Sequence, residues 1–294
     1  MKRLEVKNEL VTESQQSDVD KEIQSEIGHI LFIDVVGYSK NPIEEQHELV
    51  RQLTNIIRDT KTFRAAAEAD RLVRLPTGDG MALVFLTTPA APAQCSCEIS
   101  MAVLEARSVA LRAGHPTLYI RMGLHSGPVT RISDINDRPN VAGAGINLAQ
   151  RVMDCGDANH ILMSKHMAED LENYARWRDY LHDLGEYEVK HHVNLGIINF
   201  YDEKIGNAEL PRKFAVKLFN GLPHTDRLIL KALRSAQAEG QLCGAAYASP
   251  HEVSSSLSTL VKLELIEKKD FPYSGGLLWT LSDKGRHIVH ASES

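Results

Sequence analysis

Residues 71–86 read RLVRLPTGDGMALVFL, and this stretch decides the fold of the first half of the chain. Two runs rich in apolar and β-branched residues, RLVRL and MALVFL, flank the short turn PTGDG, which is the pattern of a β-hairpin. The turn holds one acid, Asp79, between Gly78 and Gly80. Glycine admits positive φ angles and lets a backbone or ligand come close. The hairpin therefore predicts a carboxylate held at a tight connection between two strands.

The segments around the hairpin extend it into a mixed α and β domain. The run HILFIDVV predicts a buried strand that carries Asp34 and leads into the turn GYSKNP. Apolar residues at helical spacing follow over residues 43–63, and an alanine-rich helix is predicted over residues 92–111. LYIRMGLH and VTRI predict two strands separated by the turn SGP, and GAGINLAQRVMDC predicts a helix. A strand, a helix and two closing strands then complete the domain near Tyr201.

The rest of the chain predicts a second, smaller unit. We divide the sequence into a polar N-terminal arm (residues 1–26), a catalytic domain (27–203), a linker (204–222) and a C-terminal domain (223–294). The order of helices, the strand LIEKK and a final helix in the last domain resembles a winged helix. Basic and acidic residues balance there, so direct DNA binding is not expected. Protein contact or support of a dimer is the favoured role.

Composition narrows the class of protein. The 294 residues carry a formal net charge of -6, which is a poor match to nucleic-acid phosphates. The four cysteines form no CxxC pair and indicate reduced thiols. No apolar stretch at the N-terminus has the length of a signal peptide or a membrane span. We therefore expect a cytoplasmic protein without a membrane partner.

Asp34 and Asp79 form the first candidate pair. Each acid lies where a short strand meets a turn, and alone each fits a helix cap or ordinary turn chemistry. Adjacent strands would place the two carboxylates side by side, where they repel unless a divalent cation lies between them. A two-metal centre for phosphoryl transfer needs this arrangement. Gly37, in the turn after Asp34, permits close approach of a phosphate to a helix N-terminus.

Asn147 and Arg151 form the second candidate pair. They are four residues apart on one predicted helix and therefore share a face. An asparagine that orients a ribose and an arginine that neutralises a developing phosphate charge suit the same reaction. The alternative is a solvated polar stripe.

Four motifs together resemble a known family. FIDVVGYS, TGDGMALVF, IRMGLHSGPV and GINLAQRVMD occur in the order and near the spacing of the class III nucleotidyl cyclase catalytic domain, over His29 to Tyr201. The resemblance implies an α+β fold with a ferredoxin-like βαββαβ catalytic domain, here followed by the winged-helix-like domain. It also implies a homodimer with shared active sites and two divalent cations, Mn²⁺ or Mg²⁺. The implied roles are metal binding for Asp34 and Asp79, transition-state stabilisation for Asn147 and Arg151, and triphosphate binding for Arg121 and Lys190, beside the triphosphate role that the turn already gives Gly37. For Arg121 and Lys190 a simple surface charge is the alternative.

Two departures from the family concern the base. Adenylyl cyclases place a lysine where this chain has Leu75, and an aspartate or threonine where it has Asn140. Leucine removes a hydrogen-bond donor, and asparagine offers both a donor and an acceptor. Because the catalytic set is complete, we interpret the change as a different base. Tyr38 and Arg74 are further candidates for the base pocket, although simple packing is the alternative for Tyr38.

The phrases around Leu75 and Asn140 look like bacterial pyrimidine cyclases of Pycsar antiphage systems. That resemblance implies a nucleoside triphosphate substrate, UTP in the first place and CTP in the second. The product, cyclic UMP, would act on a separate cyclic-nucleotide-sensing effector. Three alternatives remain open: an orphan adenylyl cyclase, a nucleotide-sensing winged-helix regulator and a pure interaction module.

Overall fold

The computed structural model of the chain describes residues 25–133, 139–189, 192–271 and 276–293. Its first domain combines eight strands with five helices. The strands are β1 (Ser25–Val35), β2 (Leu72–Pro76), β3 (Gly80–Phe85), β4 (Ile120–Ser133), β5 (Pro139–Ala142), β6 (Ile161–Ser164), β7 (Leu181–Val189) and β8 (Val193–Phe200). The helices are α1 (Ile43–Asp59), α2 (Lys61–Glu68), α3 (Ala90–Ala113), α4 (Ala144–Met153) and α5 (Lys165–Glu172).

All eight strands belong to one sheet. Its order is β2-β3-β1-β4-β6-β8-β7, and β5 pairs with β4 beside this path. Among the first four strands each neighbouring pair is antiparallel. The order of elements along the chain is β1-α1-α2-β2-β3-α3-β4. This is a βαββαβ arrangement with β1 and β3 at its centre. The predicted mixed α and β fold is confirmed.

The sheet has an apolar core on each face. On one face, side chains of α1, α2, α3 and α5 pack against strand residues such as Phe85, which is fully buried. On the other face, Ala149 and Met153 of α4 pack against Phe32 and Val129. The residues of β1 alternate between the two clusters, as the period of two in a strand requires. Burial on both faces explains why the sequence of this strand is almost continuously apolar.

The two strands predicted around SGP are one continuous strand, so the predicted turn is wrong. β4 runs through Gly127 and Pro128 and pairs with β1 along the whole length of β1. On its other side β4 pairs with β6 only at residues 122–124 and with β5 only at residues 130–133. Pro128 therefore lies where β4 has a partner on one side alone. A proline fits a strand where no neighbour needs its missing N–H.

Glycines in β4 let α4 lie directly on the sheet. A Cβ atom on Gly123 would stand 2.4 Å from both the Ala149 carbonyl oxygen and the Met153 amide nitrogen. A Cβ atom on Gly127 would stand 3.2 Å from the Gly145 Cα atom. Such contacts leave no room for a side chain. The depth at which α4 sits is therefore set by two positions in the motif GLHSG.

The C-terminal part of the chain is helical with one hairpin, and it has an apolar core of its own. Residues 204–222, predicted as a linker, contain a helix whose Phe214, Ala215 and Phe219 are buried. Another helix, which the sequence patterns missed, follows the first predicted one. The elements are α6 (Arg212–Gly221), α7 (His224–Ala232), α8 (Glu239–Ala246), α9 (Pro250–Lys262), β9 (Ile266–Phe271), β10 (Gly276–Leu281) and α10 (Asp283–Ala291).

Two further expectations concern the N-terminal arm and membrane-spanning helices. The predicted N-terminal arm lies outside the described residues, except for Ser25 and Glu26, which begin β1. Among the helices that the structure describes, none is long and apolar enough to cross a membrane.

Candidate active site

The structure brings Asp34 and Asp79 together at one end of the central strands. Asp34 pairs with Gly80 across β1 and β3, and the Val35 N–H donates to the Asp79 carbonyl oxygen over 3.3 Å. A Cβ atom on Gly80 would stand 2.0 Å from the Ile33 carbonyl oxygen, so this position must be glycine. Both glycines are therefore required by the backbone. Gly80 lets β1 pack closely against β3, and Gly78 takes a positive φ of 101° in the turn.

Arg121 holds the Asp34 carboxylate from the neighbouring strand. Its Nε and Nη2 atoms donate to Asp34 Oδ2 over 3.0 and 2.8 Å. The same guanidinium lies 3.3 Å from Asp154 Oδ1, just after α4. Burial raises the pKa of Asp34 above its ordinary value; Arg121 opposes this rise, and the charge of Asp79 adds to it. The site thus keeps the Asp34 carboxylate, next to a second acid, in an environment that disfavours its negative charge.

The carboxylate pair suits the divalent cations that the sequence predicts. Within the described residues, no group of three or more His, Cys, Asp and Glu side chains is arranged to hold a metal ion. Magnesium commonly binds through one or two carboxylates together with substrate phosphates. Asp34 and Asp79 supply this minimal set, and Arg121 engages only Oδ2 of Asp34. A cation between the acids would also relieve the repulsion that raises the pKa of Asp34.

The turn after Asp34 differs from its prediction. Gly37 has a φ of 74° and precedes a three-residue 3₁₀ helix, Tyr38–Lys40, whereas α1 begins only at Ile43. The long helix therefore does not start next to the acid. A Cβ atom on Gly37 would meet nothing within 4 Å, so its positive φ is what calls for glycine. The Tyr38 side chain packs against the main core, which is the alternative that the sequence left open.

Asn147 and Arg151 lie on α4, as predicted, but in different surroundings. Asn147 is exposed, whereas Arg151 is half-buried and lines a cavity of about 700 Å³. Arg121 lines the same cavity and thereby links it to Asp34. The side chain of the next residue, Val152, is fully buried. The helix thus presents Asn147 to solvent and Arg151 to a cationic cavity.

The sequence predictions missed three residues at this cavity. Asp154 follows α4 and pairs with Arg121, and Arg212 and Lys213, which also line the cavity, begin α6. Asp154 lies inside a motif that resembles the family, but its partner is set by the fold. Arg212 and Lys213 lie in the segment predicted as a linker. Lys190 lies outside the described residues.

The base-pocket candidates separate on the two faces of the sheet. Leu75 pairs with Ala82 and packs in the apolar cluster beneath α4. Arg74 points to the other face, where its guanidinium carbon lies 5.9 Å from the centre of the Phe63 ring. The Asn140 amide oxygen accepts a hydrogen bond of 2.8 Å from the Val141 N–H. Val141 belongs to the cluster that contains Leu75, so β5 and β2 meet on this face.

Comparison with known proteins agrees with this geometry. Residues 19–201 match the family described as the adenylate and guanylate cyclase catalytic domain. The guanylyl cyclase Cya2 has a similar structure, with a TM-score of 0.51, 17% identity, 63% of this chain covered and 95% of that chain. A bacterial light-regulated adenylyl cyclase also has a TM-score of 0.51, with 18% identity, 65% of this chain covered and 56% of that chain.

These similarities to solved structures, all at low identity, concern the fold alone. No sequence among curated proteins matches significantly. The family match spans more than half of the chain and includes both candidate pairs. The chain therefore belongs to the class III adenylate and guanylate cyclase catalytic domain family.

Proposed function

We propose that the chain converts a pyrimidine nucleoside triphosphate, UTP before CTP, to its 3′,5′-cyclic monophosphate and pyrophosphate. The observation that carries the choice of base is the pair Leu75 and Asn140. Leu75 packs among apolar side chains and offers no hydrogen bond. The Asn140 oxygen is engaged by the Val141 N–H, which leaves the amide nitrogen as a donor. A donor suits the two carbonyl oxygens of uracil better than the amino group of cytosine.

The chain's own residues divide the work of the reaction. Asp34 and Asp79 would hold two divalent cations, which when bound would screen the charge of the triphosphate and lower the pKa of the ribose 3′-hydroxyl. Asn147 orients the ribose so that the 3′-oxygen attacks the α-phosphorus in line, and pyrophosphate leaves. Arg151 neutralises the charge that develops on the phosphate. Arg121 fixes the orientation of Asp34 through two hydrogen bonds and lines the same cavity as Arg151.

We further propose that two copies of the chain share their active sites. Asn147 is exposed, and no described residue forms a hydrogen bond or ion pair with its side chain. A second copy would supply it with a substrate held by the partner's carboxylates. Mixing an Asp34→Ala chain with an Arg151→Ala chain should then restore one intact site per dimer. Activity that stays at the level of the separate variants would contradict sharing.

The decisive experiment offers the purified chain each of the four ribonucleoside triphosphates with Mn²⁺ and identifies the products by mass. We expect cyclic UMP as the main product and cyclic CMP as a minor one. Asp79→Asn should lower turnover by at least a hundredfold, because it removes one of two cation-binding carboxylates. Asp59→Asn, which removes an exposed acid at the end of α1, is the matched control and should leave turnover unchanged. Retained turnover in the Asp79→Asn chain would contradict the assignment of Asp79 as a cation ligand.

An adenylyl cyclase is the second candidate, because the matching family and the similar structures carry adenylyl and guanylyl cyclase names. The double variant Leu75→Lys with Asn140→Asp tests the role of these two positions. It introduces the lysine and the aspartate that adenylyl cyclases place at these two positions. The ratio of ATP turnover to UTP turnover should then rise by at least tenfold. Preferential formation of cyclic AMP by the unaltered chain would overturn the pyrimidine proposal.

For the C-terminal domain we propose a winged helix that contacts protein. The helices α7, α8 and α9 followed by the hairpin β9–β10 support this fold. Four of the nine exposed residues of α9 are serine or threonine, and Lys262 at its end is the only lysine or arginine of the helix, which favours protein over DNA phosphate. A filter-binding assay with duplex DNA at low salt should show no retention of the DNA.

The cyclic nucleotide would act on a separate effector in antiphage defence.

A further inference from the structure

The cavity beside Arg121 and Arg151 is closed on one side by the C-terminal part of the chain. Its volume is about 700 Å³. It is lined by the end of α4 with the residues that follow it, by the end of β7 and by the beginning of α6. Because α6 begins at Arg212, it lies beyond residue 201, where the match to the cyclase family ends. The cavity therefore combines residues inside the family match with residues outside it.

The packing of α6 fixes its position at the cavity. Phe214 is buried in a cluster with Val152 and Cys155, and its ring lies 4.8 Å from the Tyr187 ring. The Arg212 backbone N–H donates to Asp157 Oδ2 over 2.7 Å. These contacts join the first turn of α6 to the loop after α4. The side chains at the start of α6 are therefore held at a fixed distance from the catalytic domain.

The side chains that line the cavity leave positive charge available. Four cations line it: Arg121, Arg151, Arg212 and Lys213. Each of the three lining acids has a partner: Asp154 pairs with Arg121, Asp157 accepts the backbone N–H at the start of α6, and Glu188 contacts His192. Four cations against three acids leave the lining with a net charge of +1. Among the described residues, none forms a hydrogen bond or ion pair with the guanidinium of Arg151 or of Arg212.

Lys213 is poised between the two domains. Its Nζ atom donates to the Asp154 carbonyl oxygen, while the Asp154 carboxylate pairs with Arg121. The ammonium carries three donors, so this bond leaves two of them for a ligand. Arginine and lysine side chains that converge in this way are typical of sites for polyphosphate anions, because charge-assisted hydrogen bonds to phosphate are strong.

We propose that Arg212 and Lys213 bind the terminal phosphates of the triphosphate substrate and then the leaving pyrophosphate. This inference rests on the proposed function. The two residues are binding groups; they take no proton and form no covalent bond. The anion enters the cavity that Arg121 and Arg151 line, so its charge is shared between these guanidinium groups and the start of α6. Seating of α6 on the catalytic domain thereby becomes a condition for tight substrate binding.

The test measures binding of inorganic tripolyphosphate to the full chain by calorimetry without divalent ions. The signal then reports on the cationic side chains alone. Arg212→Gln and Lys213→Gln together should weaken this binding at least tenfold and raise the KM for the nucleotide. The matched control, Arg58→Gln with Lys61→Gln, removes the same charge from exposed positions on α1 and α2 and should change affinity less than twofold.

Arg212→Gln alone keeps the backbone bond to Asp157 and decides the question if the double variant does not fold. Arg212→Lys should restore part of the affinity. Unchanged tripolyphosphate binding in Arg212→Gln, or no binding by the unaltered chain at millimolar concentration, would overturn the inference even if cyclic nucleotide is made. Absence of any cyclic product with normal, Arg212-dependent tripolyphosphate binding would instead overturn the proposed reaction.

Discussion

Replacing Gly123 with alanine tests how α4 is positioned on the sheet. The new Cβ atom would stand 2.4 Å from the Ala149 carbonyl oxygen and from the Met153 amide nitrogen, and 2.5 Å from Met153 Cβ. All three atoms belong to α4, and two of them are backbone. No side-chain rotation relieves these contacts. The helix must move away from β4, or the strand must bend.

The size of the effect follows from the distances. An ordinary van der Waals contact is about 3.4 Å or longer, so α4 must retreat by about 1 Å. Overpacking of this kind costs roughly 1–3 kcal/mol of unfolding free energy. The displaced helix carries Asn147 and Arg151, and a misplacement of about 1 Å in a catalytic group reduces turnover on the order of a hundredfold. Stability and kcat should therefore fall together.

Urea unfolding followed by circular dichroism measures the first effect, and initial rates with the preferred nucleotide measure the second. Gly244→Ala is the matched control. This glycine lies in α8, its added Cβ atom meets nothing within 4 Å, and alanine favours a helix. The control should be as stable as the unaltered chain or slightly more stable, with unchanged kcat. A Gly123→Ala chain with unaltered unfolding and turnover would refute the claim that β4 sets the depth of α4.

Two other predictions concern stability alone. Burial lowers the pKa of His125 to about 4, whereas the pKa of this imidazole in the unfolded chain is near 6.5. Its contribution to the free energy of unfolding is therefore complete above pH 6.5 and is lost as pH falls towards 4. The loss is on the order of 3 kcal/mol, and His125→Asn should flatten unfolding free energy between pH 7.5 and 5; an unchanged slope would contradict it. Ser249→Ala should cost about 1 kcal/mol in thermal or urea unfolding, because Ser249 and Glu252 form a capping box at α9. Ser254→Ala, on the exposed side of the same helix, should change little.

Much of the catalytic domain could be predicted from local patterns. The hairpin around Asp79, the helix with Asn147 and Arg151 and the closing strands have bounds close to those predicted. Each is a segment whose apolar period and turn residues agree with its final structure. The continuity of β4 through SGP could not be predicted in the same way, because glycine and proline usually interrupt strands. Only the partial pairing of β4 with β5 and β6 explains why the strand continues there.

Helix α6 was missed by the sequence prediction for a different reason. Its apolar residues pack partly against the catalytic domain and partly within the C-terminal core, so no single neighbour in sequence accounts for them. A short helix of this kind owes its stability to tertiary packing rather than to propensity. The polar residues before it favoured a linker. The positions of Arg212 and Lys213 at the cavity followed only from this packing.

The sequence by itself determined the family, the two carboxylates, the Asn and Arg pair and the two unusual positions Leu75 and Asn140, because those depend on residue type and spacing. The tertiary structure decided the contacts. It placed Arg121 between Asp34 and Asp154, turned Arg74 to the face opposite Leu75 and brought α6 to the cavity. Strand register and helix packing set these relations between residues far apart in sequence, and no local pattern contains them.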